Sequence, residues 1–357
     1  MHAVSYAEYG ATPQLIDLPE PDCPADGAVV AVRATGVCRS DWHAWRGHDP
    51  VPLPMVPGHE FAGVVARVGP LVRDCAVGDR VTAPFVNGCG RCSWCLAGQA
   101  QVCPDQTQPG FTHLGSFAEQ VAVRAADFNL VRLPASVDFV TAAALGCRFA
   151  TAFHALTVQS DLAPEQWLLV IGCGGVGLSA VVIARALGAR VLAVDPSGAA
   201  RERALQLGAE HALETAEPET VHRLTDQGAH VSLDAVGSAT TAAAGVRGLR
   251  RRGRHVQAGL MLGANANAAL PWERVIAHEL TIAGSHGMAA AEYPRLLQLI
   301  ADGTLDPRPL VGRTVGLAQA GEELMALDRP VAAEAGIVVA SVPGAGCPTA
   351  VDLRRGC

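Results

Sequence analysis

Apolar runs of strand length recur along the whole chain, but their surroundings change near residue 149. Before about 145 they are short, irregular and bounded by Gly and Pro. The segments 27–37 (GAVVAVRATGV), 61–69 (FAGVVARVG) and 79–86 (DRVTAPFV) read as strands between turns. This pattern predicts an irregular, mostly-β, barrel-like region. From about 149 onward, strand-length runs alternate with helical stretches. Residues 168–172 (LLVIG) read as a buried strand and 175–189 (GVGLSAVVIARALGA) as a helix. A strand at 190–195 and a helix at 199–209 follow, then strands at 230–237, 254–260 and 279–285. Strands apolar on both faces, separated by helices, are the signature of a doubly wound α/β fold with a parallel sheet. Between 286 and 340 the pattern predicts one helix (YPRLLQLIADG) and a mixed tail. The stretch from 341 is polar and turn-rich, with Cys347 and Cys357 as incidental residues, and is expected to be poorly ordered.

The chain has 357 residues, half of them apolar, enough for one large domain or two of ordinary size. A net charge of -7 argues against a nucleic-acid or anionic-membrane partner. All 27 basic residues are Arg, so no Schiff-base or lysine general-base mechanism is available. No run of eighteen apolar residues is free of Gly, Pro or charge, so no membrane span is predicted. The N-terminus lacks a basic n-region and an apolar h-region, which points to a cytoplasmic protein. Its 11 Cys are then expected to be reduced, and clustered Cys in that setting point to metal or catalysis.

Gly172-Cys173-Gly174-Gly175-Val176-Gly177 follows a predicted strand and opens a predicted helix, the context that the dinucleotide fingerprint needs. Gly172 permits the tight turn, Gly174 lets the backbone approach a pyrophosphate, and Gly177 allows close helix–strand packing. The helix N-terminus offers unpaired N–H groups and a positive dipole end. Asp195 closes the next strand, where a carboxylate can accept hydrogen bonds from adenosine ribose and repel a 2′-phosphate. That favours NAD over NADP, a preference that nearby Arg201 would soften. The bland alternative, a glycine-rich structural turn, explains neither the flanking elements nor Asp195.

Cys89, Cys92, Cys95 and Cys103 are spaced C-x2-C-x2-C-x7-C. Four thiolates on a short loop suit a closed tetrahedral zinc site, which would tie down a lobe with no core of its own. An iron–sulfur cluster is the competitor, since C-x2-C-x2-C is also ferredoxin-like and Pro104 follows. The x7 gap and the lack of a second cluster motif favour zinc. Cys38, the His59–Glu60 pair and Cys147 are dispersed, and spacing alone assigns them nothing. Cys173 reads as structural unless exposed; Cys23 and Cys75 fit no pattern.

GVCRSDWHAWRG (36–47), PGHEFAGVV (57–65), the four-Cys loop, LGCRFATAFHAL (145–156) and GCGGVG (172–177) occur in that order. In this the chain resembles the zinc-dependent medium-chain alcohol dehydrogenases, most closely the branch of the yeast-type enzymes and their bacterial relatives. The resemblance implies a GroES-like catalytic domain (1–148 and 286–357) and an NAD-binding Rossmann domain (149–285). It implies two zinc ions per chain and reversible hydride transfer between an alcohol and NAD(H). Cys38, His59 and Cys147 would be ligands of the catalytic zinc, with Glu60 close to the metal. Asp41 would orient the histidine, Ser40 would meet the substrate oxygen, and His43 would end the proton relay. Arg39, Thr151, Val176, Gly175, Gly237 and Leu260 fall on the cofactor side. Phe85 and Trp42 are candidates for the substrate pocket.

Polyol and threonine dehydrogenase relatives commonly place Glu near the third zinc ligand, where this chain has Cys147. Yeast-type enzymes often carry Trp where this chain has Asp49, so a simple ethanol pocket is not expected. The short segment between Cys103 and Cys147 resembles tetrameric bacterial members, giving a homo-tetramer (or dimer) as the expected assembly. The rivals are a polyol or other secondary-alcohol dehydrogenase, a zinc-free NADPH quinone or enoyl reductase, and a binding protein that kept only the fold.

Overall fold

The structure, a computed structural model, describes residues 1–328 and 337–342. The turn-rich stretch beyond, with Cys347 and Cys357, lies outside the described residues.

Six parallel strands form one sheet, in the order His211–Leu213, Arg190–Val194, Trp167–Ile171, Ala229–Asp234, Leu249–Gln257, Thr281–Gly284. The chain enters at Trp167–Ile171, winds outward to one side, then returns and winds to the other. A crevice therefore opens at the carboxyl ends of Trp167–Ile171 and Ala229–Asp234, where ligands bind in such sheets. All five residues of Trp167–Ile171 are buried, as a strand covered on both faces requires.

The N-terminal region builds a second, seven-stranded sheet around Ala28–Val37. That strand pairs antiparallel with Glu60–Val68, Gln120–Val123 and Ile337–Ser341. The predicted strand at 79–86 shrinks to Arg80–Thr82. The mixed tail is more regular than its composition suggested. Val311–Gly316 and Ile337–Ser341 pair in parallel and close one side of this sheet, and Ala320–Ala326 is a helix. A further helix, Arg39–Trp45, interrupts the region read as strands and turns.

One helical run, Phe139–Gln159, joins the two sheets. It is long and apolar enough to cross a membrane, but 78% of its most apolar window is buried inside the fold. Its first part, Phe139–Ala144, packs on Ala28–Val37 and Glu60–Val68, and its middle, Ala150–His154, packs on the helix Gly175–Ala186. Ala142, Ala143, Ala144, Ala150 and Ala152 are all buried, and small side chains let a helix lie close to its neighbours on two sides. The run opens into π-turns at Leu145–Phe149 and Ala155–Gln159, a distortion that often marks functional positions.

Candidate active site

Register brings the dispersed residues together. Gly36 pairs with Glu60, so the end of Ala28–Val37 lies beside the start of Glu60–Val68. Cys38 follows the first strand and His59 precedes the second. The π-turn Leu145–Phe149 presents Cys147 to both. The donor atoms of Cys38, His59, Glu60 and Cys147 all lie within 4.8 Å of one another, and all four residues are largely or wholly buried.

Asp41, on the first turn of Arg39–Trp45, organises this cluster. Its Oδ2 accepts the Cys38 N–H (3.1 Å), and its Oδ1 accepts the Gly58 N–H (2.9 Å). The same Oδ1 lies 2.8 Å from His59 Nδ1, so the His59 proton sits on Nδ1. His59 Nε2 is buried with no hydrogen-bond partner. An orphaned imidazole nitrogen beside two thiols is a donor set that suits a divalent zinc ion with one position left open. Burial would push the His59 ring down, but Asp41 and then Cys38 hold it well above its usual range, so a zinc ion taking Nε2 would displace a proton from it. Cys38 lies well below the ordinary thiol range, first because Cys147 hydrogen-bonds to it. Cys147 is pushed well up by the same contact. Two thiols this close to an imidazole would lose their protons to a bound cation.

Glu60 faces away from solvent onto Arg148. Its Oε1 accepts the Cys147 N–H (2.9 Å), the Arg148 N–H (3.2 Å) and Arg148 Nε (3.1 Å), and its Oε2 accepts Arg148 Nη2. Nothing in the spacing of the sequence announces this pairing, so sequence reasoning misses Arg148.

The four-cysteine loop closes on itself. All four sulfurs lie within 4.8 Å. The N–H groups of Cys92, Cys95 and Cys89 each donate to a sulfur at 3.4 Å, from Cys89, Cys92 and Cys103 respectively. The apolar residues packed with them are few: Ala100, Ala289 and Phe128. A lobe so poor in core needs the sulfurs held together. Backbone N–H groups, first that of Arg91, draw Cys89 down to about 7, while burial pushes Cys95 up to about 12.

The glycine loop follows Trp167–Ile171 and opens Gly175–Ala186, whose N-terminus carries no side-chain cap. Gly172 has φ +91°, which favours glycine. A Cβ on Gly177 would lie 1.8 Å from the Gly172 carbonyl oxygen, whereas one on Gly174 would meet no protein atom within 4 Å. Gly174 therefore leaves room on the cleft side. Gly177→Ala is expected to cost about 1–3 kcal/mol of stability through overpacking and to weaken binding of a dinucleotide. Thermal melts and NADH fluorescence titration check both, and unchanged binding would refute the loop assignment.

Asp195 Oδ2 accepts the Cys173 N–H and Oδ1 the Ser197 N–H, each at 2.8 Å. Arg201 Nη1 donates to the Asp195 and Pro196 carbonyl oxygens, so the guanidinium is turned onto backbone. Arg39 Nη1 likewise donates to the Leu327 carbonyl (2.6 Å). Cys173 is fully buried, and burial pushes its thiol up to about 12, so it is not an exposed reactive group.

One cleft of about 870 Å³ between the two sheets collects nearly every residue singled out in the sequence. Cys38, Arg39, Ser40, Trp42, His43, His59, Phe85, Cys147 and Thr151 line one wall. Gly172, Gly174, Gly175, Val176, Asp195, Gly237 and Leu260 line the other. Gly177, Asp41 and Glu60 stand behind these walls. Asp49 also faces the cleft, as do Gln108, Phe111 and His286, which sequence reasoning missed. His286 could have been found, since it follows the last parallel strand and strand ends point at the crevice. The ring of His59 stands edge-on to Phe85 (5.9 Å) and Phe111 (5.2 Å).

Two family models match the chain: "Alcohol dehydrogenase GroES-like domain" over residues 24–135 and "Zinc-binding dehydrogenase" over 175–302. The chain is similar to an alcohol dehydrogenase from Geobacillus stearothermophilus, with 32% identity over 85% of this chain and 90% of that one. It is 33% identical to a sorbitol dehydrogenase from Halalkalibacterium halodurans, over 82% of this chain and 86% of that one. Among solved structures it is similar to the alcohol dehydrogenase TADH from Thermus sp. ATN1. There the TM-score is 0.89 and the identity 30%, covering 96% of this chain and all of the other.

Proposed function

This chain belongs to the zinc-dependent medium-chain alcohol dehydrogenase family, and from that premise we propose that it transfers hydride reversibly between an alcohol and NAD, using one catalytic and one structural zinc. The observation that carries this reading is the buried, unpartnered Nε2 of His59 beside the Cys38 and Cys147 sulfurs, in the cleft that also holds the glycine loop.

Cys38, His59 and Cys147 would hold the catalytic zinc, and the four-cysteine loop the structural one. When bound, zinc supplies a Lewis acid that makes a nearby alcohol more acidic, and the nicotinamide accepts the hydride. Asp41 keeps the His59 proton on Nδ1 and so keeps Nε2 free. Arg148 restrains the Glu60 carboxylate. Ser40 takes the hydroxyl proton and His43 carries it outward. Burial, His48 and Arg39 hold His43 below its usual 6.5, against the opposing pull of Cys38 and Asp49, so the ring is neutral and ready to accept at neutral pH.

The N-terminus of Gly175–Ala186 would receive the pyrophosphate. Asp195 retains lone pairs for the ribose hydroxyls and disfavours a 2′-phosphate, while Arg201 is occupied by backbone carbonyls. Phe85, Phe111 and Trp42 would shape the substrate end, with Gln108 and Asp49 as polar contacts that also suit a polyol.

The test joins metal content to turnover. Elemental analysis is expected to give two zinc ions per chain, and NADH formation is expected with primary, secondary, aromatic or polyol alcohols and to be lost on chelation. Zinc near zero, or turnover only with NADPH and enones, would overturn the reading.

A further inference from the structure

The helix Arg39–Trp45 ends in a turn that brings a second histidine back over the first. His48 N–H donates to the His43 carbonyl (2.9 Å), and Asp49 N–H reaches the same oxygen (3.3 Å). Gly47 makes this possible. Its φ is +74°, and a Cβ there would meet the Tyr9 ring at 3.1 Å. The result is a contact between like nitrogens: His43 Nδ1 and His48 Nδ1 lie 3.3 Å apart. Trp42 stands edge-on to both rings, at 4.9 Å and 5.2 Å, and is itself fixed by its Nε1–H to Asp328 Oδ1 (2.7 Å). His43 lines the cleft, while His48 is exposed.

Two imidazoles meeting through Nδ1 can hold one proton between them and not two, because one nitrogen must donate and the other accept. We propose that His48 is the outer member of a two-histidine proton wire, a further proton-transfer residue for the alcohol oxidation assigned above. It receives the proton from His43 Nδ1 and passes it to water.

The wire starts with His43 carrying its proton on Nδ1 and His48 on Nε2. The alcohol hydroxyl proton, relayed by Ser40, arrives on His43 Nε2. The Nδ1 proton of His43 moves to His48 Nδ1, and the Nε2 proton of His48 leaves to solvent. One proton enters and one leaves, the hydride goes to NAD, and both rings end in the opposite tautomer. The starting state returns when exposed His48 swings off and exchanges its Nδ1 proton for one on Nε2, and the water thereby admitted to His43 gives a proton to its Nδ1 as its Nε2 gives one up.

The charged groups facing the pair are Arg39 and Cys38 from the cleft side and Asp49 from the turn. Asp328 and Arg46, paired with each other, lie behind Trp42. Of these, only Asp49 adjoins the outer ring in sequence. The proposal rests on the alcohol dehydrogenase reading, and two substitutions separate the two claims.

With the zinc-loaded enzyme and NAD in dilute buffer, His48→Gln is expected to slow single-turnover hydride transfer by roughly 10-fold, and added imidazole should restore it. His43→Asn should cost at least as much, and the double variant no more than His43→Asn alone, since the two residues act in series. A second readout needs no turnover. In NMR of the 15N-histidine protein, the Nδ1 resonances of both rings should move together with pH, and His48→Gln should abolish the joint movement in His43. A parental rate in His48→Gln, or independent titration of the two rings, would overturn the wire while leaving His43 in its role. A parental rate in His43→Asn would overturn both.

Discussion

Replacing His59 by Ala is expected to lower kcat/KM for alcohol oxidation by on the order of 10³-fold or more, and to reduce the zinc content from two ions per chain to one. The magnitude follows from losing a Lewis acid worth several kcal/mol of charge stabilisation, at 1.36 kcal/mol for each factor of ten. His59 is the residue to change because its Nε2 is the only nitrogen in the donor set, and its Nδ1 is already committed to Asp41. Cys147→Ser should behave in the same way. Cys103→Ser should instead remove the other zinc and lower the melting temperature. Elemental analysis, steady-state kinetics and far-ultraviolet circular dichroism on the three variants separate these effects. A folded His59→Ala protein that keeps both zinc ions and parental kcat/KM would end the assignment of the catalytic centre.

Arg148→Met is expected to destabilise the fold by about 3–5 kcal/mol, the cost of leaving a buried carboxylate without its partner. Glu60 is fully buried, and its two oxygens take the Arg148 guanidinium and two backbone N–H groups. Burial already raises the Glu60 carboxyl above its ordinary 4.5, with Arg148 opposing the rise. A carboxyl raised in the fold contributes stability below its unfolded value and loses it as pH climbs through the folded value. Without Arg148 the folded value climbs further. The deficit of Arg148→Met should therefore be small in acid and grow toward neutral pH. Adding Glu60→Gln should recover most of the loss, because a neutral amide carries no unpaired charge. Chemical denaturation of the single and double variants across the pH range checks this. A loss that is independent of pH and persists in the double variant would mean that Arg148 acts by packing alone. The aliphatic stem of Arg148 also fills the space that a Gly175 Cβ would occupy, with Cδ 2.3 Å from that position, so the side chain touches the glycine loop as well as the carboxylate.

What could be read from the sequence follows from the range over which each feature is determined. The glycine loop and its helix occupy one contiguous strand–turn–helix, and each glycine answers to a local need: a positive φ at Gly172 and a close approach at Gly177. The four cysteines span residues 89–103, so their sulfurs meet within a single loop. The alternation of buried strands with helices after 149 is equally local, since each element carries its own periodicity. These features needed only the chain itself.

The Cys38–His59–Cys147 cluster is different in kind. Cys38, His59 and Cys147 acquire meaning only when Gly36 pairs with Glu60 and the run Phe139–Gln159 lies across both strands. Before that, only likeness to a family distinguished them from packed core residues. Two parts of the fold were misread for the same reason. Val311–Gly316 and Ile337–Ser341 looked like a mixed tail because Ile337–Ser341 finds its partner near residue 37 and Val311–Gly316 pairs in turn with Ile337–Ser341. Phe139–Gln159 was not recognised because a helix buried between two sheets loses its polar stripe. The Arg148–Glu60 pair and the His43–His48 contact left no trace in spacing at all. Dihedral preference and short spacing act between neighbours in the chain and are legible there. Register, burial and the pairing of charges act between neighbours in space, and the folded structure alone decides them.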